Sequence, residues 1–497
     1  MKNKYILGID QSTQGTKGLL FNGLGELVCR TDLPHRQMID ERGYVEHDPE
    51  EIYHNTCQVV KNLLNQADIP QTDIVGIGIS NQRETALMWE KKSGKPVYPA
   101  VVWQCARGET ICNRLDVGEF ANLVKSHTGL NLSPYFSAAK LAWILENVEG
   151  VREKAVRGEL CAGTVDSWLI FKLTGGTVFK TDYSNASRTQ LFDIRNLCWD
   201  EEICRAFGIP VQILPEVCDS NSLFGETDFE GAFDRPLPIH AVLGDSHGAL
   251  FGQGCIRPGM VKATYGTGSS VMMNIGEKPV FGKSGVVTSL AWGMDGVAEY
   301  VLEGNINYTG AVISWLKDDL KMIRSAGETE ELAKAANPKD QTYLVPAFTG
   351  LGAPYWDSKA TGIIKGITRT TGQAEVVRAA LDCIAYQITD ILRAMEEDAG
   401  ISIQELRVDG GPTRNSYLMQ FQSDMADIPV QVPAMEELSG IGAAYTAGIA
   451  LGIYDKEEIL SQMKRTRYDS RMEPERRERL YRGWKEAVGE VLRKNEE

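Results

Sequence analysis

The chain has 497 residues, 43% of them hydrophobic and 24% charged, and carries a formal net charge of -15 at pH 7. That length exceeds what one hydrophobic core usually serves, so two large domains with a cleft between them are expected. The composition excludes a disordered chain, and the negative charge repels phosphate backbones, so no nucleic-acid partner is expected; the densest basic run, Arg471 to Arg482, is interleaved with glutamates.

Ten cysteines (Cys29, Cys57, Cys105, Cys112, Cys161, Cys198, Cys204, Cys218, Cys255, Cys383) are scattered without a C-x-x-C pair or a short Cys/His cluster. They read as free thiols in a reducing compartment. Tyr5 to Ile9 is too short an apolar run for a signal segment, and nowhere do about 18 apolar residues follow one another. A cytoplasmic protein without a membrane span is the expectation.

Residues 4–31 predict three strands, YILGID, KGLLF and ELVCR, with turns at Gln11 to Thr16 and Asn22 to Gly25. Gln11-Ser12-Thr13-Gln14-Gly15-Thr16 is a small-residue turn whose amides and hydroxyls can hold an anion, and Lys17 follows it. A helix begins at Asp48-Pro49, with its apolar stripe on Ile52, Val59, Val60, Leu63 and Leu64. The strand Ile74 to Ile79 empties into Ser80-Asn81-Gln82-Arg83-Glu84-Thr85, which is either a loop salt bridge or a site where donors and acceptors meet a ligand's hydroxyls. Val97 to Trp103, a loop at Leu132 to Ser137, a helix over 138–146 and a capped apolar segment at Thr164 to Ile170 follow; Thr181 to Arg188 reads as a loop tied by its own hydrogen bonds.

The run Ile239 to Gly248, IHAVLGDSHG, repeats the opening pattern of apolar strand, Gly and Asp, and the strand order restarts there. Met260 to Thr264 is strand, Tyr265-Gly266-Thr267-Gly268-Ser269-Ser270 a second hydroxyl-rich turn, and Ser270 to Asn274 strand again. This internal duplication places a domain boundary near residue 245. Gly304 to Lys317 predicts an apolar helix, 345–356 a Gly/Pro-dense segment, and Ala374 to Asp398 the longest helix. Leu406 to Asp409 then enters a third Gly-rich turn, Gly410 to Asn415; Gly440 opens a small-residue helix, and Leu480, Trp484, Val488 and Val491 face the core from the last one.

Gly244-x-Ser246-x-Gly248 also fits a nucleophile elbow, but that motif needs its histidine downstream, and no histidine lies beyond His247. The near-match to a phosphate loop at Gly276 to Ser284 has one residue too many between its glycines, and Pro279 lacks an amide donor. No zinc-ligand spacing and no G-x-G-x-x-G after the first strand exist. Two Asp-terminated strands and two facing hydroxyl-rich turns remain, a pattern suited to a nucleoside triphosphate and magnesium.

At this point the chain resembles the FGGY carbohydrate kinases, and within them the glycerol kinase branch, over essentially its whole length. The carriers are Gly8 to Thr13, Ser80 to Thr85, Val102-Trp103-Gln104, Pro134 to Ser137, Gly163 to Asp166, Thr181-Asp182-Tyr183, Asn185 to Thr189, Thr264 to Gly268, Pro346 to Trp356, Arg407 to Gly411 and Met419 to Asp424. The resemblance implies an α/β protein of two actin-like ATPase (ribonuclease H-like) domains, 1–245 for substrate and phosphate and 246–497 for nucleotide, with a catalytic cleft between them. It implies an ATP-dependent kinase for a terminal hydroxyl of a small polyol or sugar, glycerol above all, with Mg2+ as cofactor and a homo-oligomer, dimer or tetramer, as its assembly. Asp245 would be the base, and Asp10 with Asp245 the metal pair. Arg83, Glu84, Trp103, Tyr135, Asp245, Ser246 and Ser270 would meet the substrate. Asp10, Gln11, Ser12, Thr13, Gln14, Lys17, Gly266, Thr267, Gly268, Gly310, Ser314, Gly411 and Asn415 would meet the nucleotide.

Besides Ser12, which stands where Gly is usual in the first turn and has no effect on the pocket, two positions depart from the glycerol kinase pattern: Ser246 stands where Gln follows the base, and Ser270 where a Phe presses on the substrate carbons. Both changes enlarge the pocket and make it more polar, which opens an alternative substrate, a four- or five-carbon polyol or ketose such as erythritol, xylitol or xylulose. A chaperone or filament ATPase on the same fold would need none of the Arg83, Glu84, Trp103 and Tyr135 constellation, which argues against that more remote reading.

Overall fold

Tyr5–Gln11 (β1), Gly15–Phe21 (β2) and Leu27–Pro34 (β3) form an antiparallel meander, as their apolar runs and polar turns predict. The computed structural model describes residues 4–493. Ile74–Asn81 (β4) lies parallel to β1; the short Glu226–Thr227 (β5) edges Leu237–Gly244 (β6), which runs parallel to β4. The sheet order is therefore β5-β6-β4-β1-β2-β3. Both faces are covered, so the parallel strands read as continuous apolar runs and show no alternation. Pro49–Gln66 (α1) covers one face with Ile52, Val59, Val60 and Leu63, its first turn capped by the Asp48 carboxylate accepting from Glu50 N.

A second sheet repeats this plan. Val261–Tyr265 (β7), Ser269–Gly276 (β8), Val287–Met294 (β9), Val297–Ile306 (β10), Leu406–Asp409 (β11), Val430–Pro433 (β12) and Arg465–Tyr468 (β13) stand in the order β9-β10-β8-β7-β11-β12-β13. Strands β10, β8 and β7 are antiparallel, β11 and β12 continue in parallel, and β13 turns back, as β3, β2, β1, β4, β6 and β5 do. Two sheets of one topology, with helices between and around them, are the duplicated actin-like ATPase architecture.

The pairing moves the start of the repeat. The sequence echo puts it at Ile239, but β6 completes the first sheet, and the counterpart of β1 is β7. Two further expectations change. Thr181 to Arg188 holds the end of a strand, Lys180–Asp182, and a one-turn helix, Tyr183–Ala186, because the Asp182 carboxylate accepts from Ser184 N and Asn185 N. Gly304 lies in β10, and the helix predicted from it begins only at Gly310.

A smaller five-stranded sheet over Met38–Ile39, Val45–His47, Ala100–Val101, Ala86–Glu90 and Leu160–Thr164 packs against Ser137–Asn147 (α2). Asp245–Gly252 (α3) leaves β6. Gln373–Ala399 (α4), the longest helix, buries Val377, Leu381, Ile384, Ile388, Ile391 and Met395 behind the second sheet, beside Ser416–Ala426 (α5). Leu438–Ala450 (α6) crosses back and packs on the first sheet, sharing a core with Ile6, Leu19, Phe21 and Leu243. Trp484, Val488 and Val491 of Pro474–Arg493 (α7) are buried against the second core, with Leu480 packed at its margin. No helix among the described residues is long and apolar enough to cross a membrane.

Candidate functional site

Strands β1, β4 and β6 run in one direction, so Asp10, Asn81 and Gly244 all lie at the carboxyl edge of the first sheet, where open α/β sheets bind ligands. Facing that edge is the β7–β8 turn. Between them lies a cavity of about 810 Å3 lined by Thr13, Gln14, Arg83, Glu84, Trp103, Tyr135, Asp245, Ser246, Gly266, Thr267, Gly268 and Ser270. A second cavity of about 490 Å3 takes in Gly310, Ser314, Gly411 and Asn415. The remaining residues singled out in the sequence, Asp10, Gln11, Ser12 and Lys17, line neither.

The floor of the larger cavity is an ionic network. Arg83 Nη1 and Nη2 donate to Glu303 Oε2 and Oε1 at 3.0 and 2.9 Å, and Arg83 Nε stands 3.3 Å from Asp245 Oδ1. Arg188 Nε donates to Glu84 Oε1 at 2.6 Å, and its Nη1 lies 2.9 Å from Glu303 Oε2. The Arg and Glu side chains are all 5% exposed or less, whereas Asp245 keeps 35% exposure and so faces the cleft. Burial alone would push Glu303 up, but the guanidiniums of Arg188 and Arg83 outweigh it and hold the carboxyl far below its ordinary range. His247, one helical turn from the cleft, is kept neutral by burial and by the Arg83 charge.

One wall is aromatic. The Trp103 and Tyr135 rings meet edge to face at 5.6 Å, and Trp103 Nε1 donates to Thr13 Oγ1 at 2.9 Å, which ties the wall to the first turn. Behind it, Lys140 Nζ donates to the carbonyls of Pro134, Tyr135 and Phe136 at 2.7, 2.5 and 3.1 Å. Burial pushes this amine down to about 7.

The turns are shaped by close approach. Gly410 has φ 98°, and a Cβ there would lie 2.0 Å from the Tyr265 carbonyl, so the third turn is glycine by necessity. Gly310 N and Ala311 N donate to the carbonyls of Gly266 and Thr267 at 2.9 and 3.1 Å, which fixes the second turn against the helix that opens the smaller cavity. Ile313, Leu381, Ile384 and Leu418 give that cavity apolar walls, and nothing stands within 4 Å of a Cβ at Gly411. A flat ring system fits there.

Asp10 is buried at the end of β1. Desolvation raises its carboxyl to about 6; Lys17 opposes the shift, and the Glu437 and Asp245 charges add to it. Lys17 itself is held by Glu437 at 2.5 Å and stands 3.8 Å from Asp10, so this cation is spent on bracing β2 to α6.

Residues 5–252 match the FGGY family of carbohydrate kinases, N-terminal domain, and residues 261–451 its C-terminal domain. The chain belongs to the FGGY family of carbohydrate kinases. It is an ATP-dependent kinase of small polyols or sugars. The chain is 48% identical to "Glycerol kinase" of Alkaliphilus oremlandii (strain OhILAs) over 496 residues, 99% of this chain and 98% of the relative. It is 49% identical to "Glycerol kinase 2" of Thermotoga maritima over 492 residues, 98% of this chain and 99% of the relative. The crystal structure of Plasmodium falciparum glycerol kinase with ADP superposes with a TM-score of 0.93 at 34% identity, covering 98% of each chain.

In this kinase three residues escape the sequence reading of the site: Glu303, Arg188 and Lys140. Glu303 interrupts the buried apolar stretch Tyr300 to Gly304 of β10, and a carboxylate in the buried part of a strand is a legible signal. Arg188 sits in a motif quoted for the resemblance, but its partners lie elsewhere in the chain. Nothing local marks Lys140, which sits on a buried helix face.

Proposed function

We propose that this kinase transfers the γ-phosphoryl group of ATP to a terminal hydroxyl of glycerol, giving glycerol 3-phosphate and ADP. The observation that carries the reading is Asp245, half-exposed at the mouth of β6, with Arg83, Glu84, Trp103 and Tyr135 on one side of it and the Gly266-Thr267-Gly268 turn on the other. Asp245 Oδ1 accepts from Ser246 N at 2.6 Å and faces Arg83, which fixes the carboxylate and leaves its second oxygen for the acceptor hydroxyl. As that hydroxyl oxygen bonds to the γ-phosphorus, its proton passes to Asp245, the bond to the β-phosphate oxygen breaks, and ADP leaves with the electron pair. Arg83 and Glu84 supply the donor and acceptor that hold the remaining hydroxyls, and Trp103 covers the carbon chain. Thr13, Gln14 and the second turn hold phosphate, with Asp10, Gln11, Ser12 and Lys17 behind them. Gly310, Ser314, Gly411 and Asn415 surround the base and ribose.

The Asp245 charge adds to the cost of ionising the buried Asp10, and a divalent cation would offset that cost, so the pair fits Mg2+. When bound, the ion neutralises phosphate charge. The ten cysteines are all free thiols, which supports a reducing, cytoplasmic setting. ADP release measured with glycerol present and absent tests the reading: ATP hydrolysis that no acceptor stimulates would overturn it. The second reading, a four- or five-carbon polyol or ketose, draws on Ser246 and Ser270, both on the cleft wall.

A further inference from the structure

The turn between β1 and β2 has few bonds of its own. Ser12 N and Ser12 Oγ donate to the Gly15 carbonyl at 2.8 and 3.0 Å, and Gln11 Nε2 donates to the Ser12 carbonyl at 2.7 Å. The rest of its shape is set from outside. Gln82 N holds the first leg through the Gln11 carbonyl at 2.7 Å, and Trp103 holds the tip through Thr13. The second leg is held by His35, one residue past β3. Its backbone N–H donates to the Gln14 carbonyl at 2.8 Å, and its ring Nε2 stands 2.9 Å from Thr16 Oγ1. This leg lies hard against β3, because a Cβ at Gly15 would collide with the Leu33 carbonyl, so a displacement of residue 35 reaches the turn directly.

The neighbours of His35 fix both its place and its proton. Asn55 Nδ2, on α1, donates to the Pro34 carbonyl at 3.0 Å and lies 3.1 Å from His35 Nδ1. A carbonyl only accepts, so the amide nitrogen of Asn55 points here; an amide NH2 cannot accept in turn, so Nδ1 is the bare nitrogen of the ring. Burial, with His47 close by, pushes His35 down to about 4, and the neutral ring carries its one hydrogen on Nε2. Nε2–H therefore donates to Thr16 Oγ1. Arg36 is clamped beside it: its N–H donates to the Glu51 carboxylate at 3.2 Å, and its carbonyl accepts from His47 Nδ1 at 3.1 Å. His35 lines the same cavity as Thr13 and Gln14, and both of its donors are aimed at one turn.

We propose that His35 is a positioning residue for phosphoryl transfer, holding Gln14 and Thr16 so that the first turn meets the phosphates of ATP already in shape. This rests on the kinase reading above and adds a residue to it. Phosphoryl transfer depends mostly on placement, and a shift of about 1 Å at such a site costs about 10²-fold, so a brace that touches no ligand still has a kinetic signature.

The test is steady-state ADP release by the full-length parent and variants, with ATP and glycerol varied in turn and melting temperatures measured alongside. His35→Ala is expected to raise KM for ATP by about tenfold or more and to lower kcat, while KM for glycerol stays within about twofold of the parent's. His35→Gln, whose side-chain amide nitrogen takes the place of Nε2, is expected to recover most of the loss. Thr16→Val removes the accepting oxygen at nearly constant volume; it is expected to move KM for ATP in the same direction, and to add little to the effect of His35→Ala when the two are combined. Thr16→Val carries the test where His35→Ala does not fold. A lower melting temperature with KM for ATP unchanged shows a structural role only and overturns the proposal. Equal rises in both KM values, or a Gln variant no better than the Ala one, overturn it as well. A parent whose ADP formation glycerol does not stimulate overturns the underlying reading, and the proposal falls with it.

Discussion

Asp245 owes its position to a strand that ends one residue before it and a helix that starts on it. The carboxylate is carried out of the sheet and turned toward the cleft while Arg83 holds one oxygen. Asp245→Asn keeps the shape and removes the proton acceptor proposed above, so ADP formation is expected to fall by about 10²- to 10⁴-fold with nucleotide binding retained, measured by steady-state assay and by calorimetry with ADP. Lys140 meets the cleft only through the backbone of Tyr135 and its neighbours. Its three bonds hold the carbonyls behind Tyr135, and Lys140→Met leaves them unpaired at a cost of about 1–3 kcal/mol. If the amine is a positioning residue, KM for the acceptor rises by about tenfold or more while KM for ATP stays put; a uniform loss of soluble protein with unchanged KM would show a structural role only. Local sequence explains the first case and not the second. A Gly-Asp step after an apolar run is visible in the chain, but a lysine pointing back at carbonyls four to six residues earlier is indistinguishable from any other helical lysine until the helix is packed.

At the scale of elements, the two sheets are joined by α3 and α6, and they meet backbone to backbone. A Cβ at Gly442 would lie 1.9 Å from the Gly248 carbonyl, and one at Gly248 would lie 2.7 Å from the Ser439 carbonyl. Neither obstacle is a movable side chain. Gly442→Val is therefore expected to force the helices apart and to lower the urea midpoint, by the roughly 1–3 kcal/mol or more of an overpacked core. A midpoint equal to the parent's would show that the helices separate freely. The alternation of apolar runs with Gly-rich turns sufficed to place β1 to β4, α1, α4 and the three turns that line the two cavities, because their signals are short-range. It misplaced the repeat, since strand partners are chosen by the sheet: IHAVLGD looks like the opening strand and yet pairs with β4.

Over the whole molecule, the network of Arg83, Arg188 and Glu303 links the first half of the chain to the second through residues 220 positions apart. Glu303→Gln strands two buried guanidiniums, and a loss of about 3–5 kcal/mol of stability is expected, read from denaturant unfolding. Buried acids also set the pH response. Burial, with the neighbouring Asp182 carboxylate, pushes Asp166 up from 3.8 to about 7, so between those values the folded state binds more protons than the unfolded one. Stability from this group is complete below 3.8 and is lost as pH rises toward 7, at up to about 1.4 kcal/mol per pH unit. Unfolding free energies of the parent and Asp166→Asn across that window check this: the variant's slope is expected to be flatter, and parallel slopes would refute it. The kinase chemistry is legible in the chain before it folds, because strand, turn and acid are written in contiguous residues and bear a family's pattern along its length. Which charges neutralise one another and how α6 returns to the first sheet emerge only once the chain is packed. Those are properties of surfaces brought together from distant parts of the chain, and no local pattern encodes the space left between them.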